Sequence, residues 1–147
     1  MKERRSSHQT QWAAQFAVAS ELCKRGYQVA LTLGNHPAVD LMVQSPKGMQ
    51  FTIDVKGLYA PNFWVVKEKK LKDRLFYVFA FVPTGNENRF HIATQKEVNA
   101  ALKAKYEVDC KRTIAKGKTM PSEDKRFSCL PFKLEQQWKD KWSVLPP

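Results

Sequence analysis

Residues 39–56, VDLMVQSPKGMQFTIDVK, leave the chain little choice of pairing. Apolar and polar residues alternate on both sides of SPKG, as on two strands that each bury one face. PKG fits a three-residue loop with Gly48 in the left-handed conformation, so Ser45 pairs with Met49. Val43 then faces Phe51, Leu41 faces Ile53 and Val39 faces Val55, which makes one continuous apolar face. A slip of one residue would set apolar against polar throughout, so the pattern specifies the register.

The same register sets Asp40 opposite Asp54, with Lys56 on that face. Like charges opposed across a ladder destabilise it, so something should compensate. A divalent cation is one candidate; hard oxygen ligands favour Mg²⁺, with positions left for water and a phosphate. Lys56 partly neutralising the pair is the other. The tripeptide alone carries little, since (D/E)-x-K also begins at Glu68, Asp109 and Glu123. Strand context and an opposed carboxylate set Asp54 apart.

Ahead of this hairpin, residues 10–25 read as a helix capped by Thr10 or Ser7 and ended by Gly26. Trp12, Phe16, Val18, Ala19, Leu22 and Cys23 recur at helical spacing. Gln15 lies on that stripe, and a polar side chain on a packed face needs a partner. If the helix packs on the sheet, Gln15 reaches the carboxylates; a bond to the main chain is the alternative.

YQVALTL (27–33) reads as a strand, GNHPA (34–38) as a loop, and FWVVK (63–67) and LFYVFAFV (75–82) as further strands. Eight apolar residues are too few to span a bilayer as a helix, so 75–82 is expected in the core or at an interface. FHIAT (90–94) is a short strand. Thr94 and Glu97 form a capping box that opens a helix running to about Tyr106. The polar, Lys-rich stretch 107–128 reads as a long loop and 131–142 as a final short helix. The order predicts an α/β fold, a central mixed sheet flanked by helices, in one domain of 147 residues.

Twenty-five Lys and Arg against 14 Asp and Glu give a net charge of +11, which favours a polyanionic partner, most often nucleic acid. Lys67, Lys69, Lys70, Lys72 and Arg74, and Lys111, Arg112, Lys116 and Lys118, are candidates to track a backbone. His36, just before Asp40, is a further candidate substrate contact. Trp12, Trp64, Trp138 and Trp142 are expected in the core or at an interface rather than stacked on bases. Three cysteines without C-x-x-C spacing argue against a disulfide framework or a zinc site and for a reducing cytoplasm. MKERRSSHQTQW is basic but leads into no apolar stretch, so no secretory signal is expected, and no membrane partner.

These residues carry a family likeness. A helix ending ELCKRGYQV, then GNHPAVDLMV, then FTIDVKG resembles the PD-(D/E)XK nuclease superfamily, particularly its small stand-alone endonuclease-like and Holliday-junction-resolvase-like members. The likeness covers roughly residues 10–82. It aligns Asp40 with the family's second-strand Asp, and Asp54 and Lys56 with its (D/E)-x-K. Pro37 is displaced from its usual place by Ala38-Val39, and Gln15 stands where many members carry Glu.

The resemblance implies a restriction-endonuclease-like core and Mg²⁺-dependent (or Mn²⁺-dependent) hydrolysis of DNA, in some members specific for junctions or branches. It implies that Asp40, Asp54 and the Val55 carbonyl hold the metal, and that Lys56 orients the attacking water. Gln15 would join the catalytic group, and the assembly would be a homodimer. The alternatives are a non-catalytic DNA-binding protein of the same fold, for which Gln15 argues, and an RNA-binding protein in which D-x-K is incidental.

Overall fold

The structure, a computed structural model, describes residues 4–32, 39–122 and 127–147. Helix α1 spans Ser7–Lys24 and is followed by β1 (Gln28–Leu31), β2 (Leu41–Gln44) and β3 (Gln50–Leu58). Next come β4 (Trp64–Val65), β5 (Leu75–Phe81), β6 (Arg89–Thr94), α2 (Gln95–Ala115) and β7 (Cys129–Leu130). Five strands form a mixed sheet in the order β1-β2-β3-β5-β6, and β4 and β7 pair as a separate ribbon. The fold is α/β, with α1 on one face of the sheet and α2 on the other.

The hairpin has the register that alternation requires: Leu41 pairs with Ile53, Val43 with Phe51 and Gln44 with Gln50. Gly48 sits at φ +85, and Ser45 accepts its N–H while donating to Met49 O, both at 2.8 Å. β5 is an interior strand, parallel to β3 and antiparallel to β6. Both its faces are covered, which explains its unbroken apolar run. Phe76, Val78 and Ala80 join the α1-side core, while Tyr77, Phe79 and Phe81 join the α2-side core.

α1 begins earlier than expected. Ser6, not Thr10 or Ser7, caps it in a capping box with Gln9. Its buried stripe is Thr10, Ala14, Gln15, Val18 and Leu22. Trp12 and Phe16 instead stack on each other at 5.5 Å on the outer side, Phe16 being 55% exposed. The reason is a close approach: a Cβ placed on Gly57 would lie 2.7 Å from the Ala14 Cβ and 3.1 Å from Thr10 O. Only small residues allow that contact, so the helix turns its Ala14 side inward and its aromatics outward.

Two further expectations are corrected. α2 continues to Ala115 rather than ending near Tyr106, so residues 107–115 of the expected loop are helix. Residues 107–115 contain neither Gly nor Pro, and Gly117, at φ +70, marks the stop. The expected helix over 131–142 is a pair of 3₁₀ turns, Gln136–Trp138 and Trp142–Val144. Asp140, at φ +50, separates them, and Trp138 and Trp142 insert one into each core. Trp64 is buried as well, as expected. Among the described residues no helix is long and apolar enough to cross a membrane.

Candidate functional site

The site forms where β2 and β3 part. The expected pairing of Asp40 with Asp54 and Val39 with Val55 does not extend that far; the ladder stops at Leu41. The Asp40 N–H donates to Ile53 O (3.1 Å), and Val39 O accepts from the Thr32 hydroxyl (2.7 Å). The Val55 N–H and carbonyl are therefore left without a main-chain partner on this side, and buried main-chain groups need one. The Asp40 carboxylate takes the N–H at 2.7 Å through Oδ2. The Gln11 amide donates to Val55 O at 2.8 Å and, more weakly, to the same Asp40 oxygen at 3.5 Å. Gln15 donates to the other Asp40 oxygen at 3.2 Å.

Asp54 is buried, and two ammonium groups hold its oxygens. Lys56 Nζ lies 2.9 Å from Oδ1 and Lys69 Nζ lies 3.2 Å from Oδ2. Burial pushes the Asp40 carboxyl above the usual carboxylate range; the Asp54 charge adds to this, and the Val55 N–H opposes it. Tyr77 pairs with Asp54 in the β3–β5 register. Burial first, and the Asp54 charge second, push its hydroxyl up to about 12. Among the described residues that hydroxyl has no hydrogen-bond partner.

Lys69 reaches Asp54 from the connection between β4 and β5, and α2 holds that connection in place. The buried Gln95 accepts from Lys72 N–H (2.7 Å) and donates to the carbonyls of Lys69 (3.3 Å) and Lys70 (3.0 Å). Asn99 donates to Lys69 O at 2.9 Å. Every polar atom of the Gln95 side chain is thus used to fix a segment that has no ladder of its own.

These residues line a cleft of about 970 Å³ that also takes in the first turn of α1 and the segment after β3. Asp40, Asp54, Val55, Lys56 and Lys69 line it. Of the other expected backbone contacts, Lys67, Lys70, Lys72, Arg74, Lys111, Arg112, Lys116 and Lys118 are exposed but do not line it. His36 lies outside the described residues. The structure brings Gln15, Asp40 and Val55 into one bonded group and joins Asp54 to Lys56. It adds Gln11, Lys69 and Gln95, which sequence reasoning left out or assigned elsewhere. Gln11 and Gln15 are four residues apart on one helix face, and that spacing was the available signal.

The donor set suits a hard cation. Asp40 Oδ2 and Val55 O converge on one nitrogen, that of the Gln11 amide. Asp54 supplies further carboxylate oxygens if a lysine gives way. Among the described residues no three His, Cys, Asp or Glu side chains cluster, so water, phosphate or a glutamine oxygen would complete the shell. Set against known proteins, the chain matches no family model, no curated protein and no solved structure.

Proposed function

We propose that this protein is a metal-dependent DNA endonuclease with a restriction-endonuclease-like core, as the likeness to the PD-(D/E)XK superfamily implies. One observation carries the reading. At the point where β2 and β3 part, a carboxylate and a main-chain carbonyl converge on one hydrogen-bond donor, beside a carboxylate held by two lysines. Asp40, Asp54 and Val55 O would hold Mg²⁺, or Mn²⁺ in its place. The cation would supply an acidified water and positive charge on the scissile phosphate. Lys56 orients the attacking water and, with Lys69, stabilises the negative charge that grows on the phosphate oxygens. Gln15 fixes the Asp40 carboxylate through its 3.2 Å hydrogen bond. The family likeness extends the proposal to a homodimer that acts on junctions or branched DNA, and the cysteine usage to a cytoplasmic protein.

A second reading has its own support. Two carboxylates and two ammoniums balance with no cation present, and α1 contributes amides rather than a third carboxylate. That arrangement suits a DNA-binding protein of the same fold without catalysis. Cleavage and binding of labelled DNA, each with Mg²⁺ and with chelator, separate the two. The nuclease reading expects cutting only with Mg²⁺ or Mn²⁺ and none from Asp54→Ala or Asp40→Ala. Metal-independent binding without any cutting would favour the second.

A further inference from the structure

We propose that the cleft receives single-stranded DNA, with an unpaired base stacked on Phe63 while phosphates meet the start of α1. The proposal rests on the nuclease reading of the cleft floor and names its substrate class. Phe63 and Val65 stand two residues apart where the chain enters β4, so they share a face. Their neighbours Trp64 and Val66 are each 2% exposed and turn into the core. Phe63 and Val65 turn the other way, 53% and 57% exposed, and both line the cleft that holds Asp40 and Asp54. The Asn62 side chain accepts the Phe63 N–H at 2.8 Å, which fixes the approach to the strand.

The same cleft is lined by Arg4, Ser6, Ser7 and His8, the N-terminal end of α1. The first turn of that helix carries no acidic residue, so its dipole, positive at this end, favours an anion. Arg5 is committed to structure: its guanidinium lies over Tyr59 at 5.1 Å and donates to Val82 O at 2.7 Å. The cleft thus offers cations and a helix N-terminus for phosphates, and an exposed apolar strip, Phe63 and Val65, on its wall. A duplex presents phosphate and sugar to such a wall and keeps its base faces stacked inside. An unpaired strand offers a base face to Phe63, and the net charge of +11 complements its backbone.

Fluorescence anisotropy of the full chain in chelator tests this without requiring cleavage. The probes are a labelled single-stranded oligonucleotide, the same strand with abasic sites, a duplex with the same number of phosphates, and the matching RNA. The single strand should bind more tightly than the duplex, and the abasic strand should lose affinity. Phe63→Ala should weaken single-strand binding about five- to a hundred-fold and leave the salt dependence unchanged, because no phosphate contact is lost. Phe63→Trp should restore it, which a mere surface role would not do. Equal affinity for duplex and single strand, or an unaffected Phe63→Ala, overturns the proposal. So does tighter binding of the RNA, or loss of self-association in Phe63→Ala with DNA binding intact. Single-strand binding through Phe63 in a protein that never cuts would defeat the nuclease reading alone. Mg²⁺-dependent cutting of duplex that ignores Phe63 would defeat this proposal alone.

Discussion

At the scale of the residue, Asp40 carries a charge in a place that resists it. Burial and the Asp54 charge raise its carboxyl above the ordinary value of 3.8. The folded form therefore binds its proton more readily than the unfolded chain. Any stability this gives is complete below the ordinary value and fades as pH rises through the raised one. Asp40→Asn removes that titration and keeps an oxygen for the Val55 N–H. In chelator at neutral pH it should melt above the parent protein, and the gap should close as pH falls through the raised value. A gap that is constant with pH would show that Asp40 is not strained. Gln15→Glu tests the same charge from the other side. A carboxylate would replace the donor now 3.2 Å from Asp40 and repel it. The variant should melt lower in chelator, and excess Mn²⁺ should shrink or reverse the difference. A metal-independent difference would mean that Gln15 takes no part in the site. Asp40, Asp54, Lys56 and Gln15 are legible in the sequence because each is a polar residue placed where the pattern demands an apolar or a compensated one. Lys69 is not: it sits in a charged run, and only its three-dimensional path delivers it to Asp54.

At the scale of the element, the hairpin register follows from alternation, but its end does not. Nothing in VDLMV says that main-chain pairing stops at Leu41, because the partners that replace it come from Thr32 and α1. Likewise the reach of α2 to Ala115 is hidden by a polar composition that suits an exposed helix and a loop equally. Gly57, directly after D-x-K, is the residue that seats α1 on β3. Gly57→Ala would bring a Cβ within 2.7 Å of the Ala14 Cβ, which neither element can absorb without shifting. We expect a loss of about 1–3 kcal/mol, as for overpacked cores, measurable by denaturant unfolding. Ala14→Gly in the same chain should recover part of it, because it removes the opposing methyl group. An unchanged midpoint in the single variant would place α1 further from β3 than described.

At the scale of the whole molecule, the sheet separates two cores and leaves the candidate site at the end where β2 and β3 part. One side of that opening belongs to α1 through Gln11 and Gln15. The other belongs to α2 through Gln95 and the connection that carries Lys69. Balanced charge on the floor has a consequence for metal binding. A dication added to two carboxylates and two ammoniums leaves a local excess of positive charge, which a DNA phosphate would offset. Metal and DNA should therefore bind with positive coupling, each tightening the other. The most direct test is anomalous diffraction from crystals that hold Mn²⁺ and an uncleavable oligonucleotide. The account predicts one strong peak against Asp40, Asp54 and Val55 O, with the Gln11 amide moved off the carbonyl and a phosphate completing the shell. Asp54 still held by both lysines, Gln11 still on Val55 and no peak between them would contradict it.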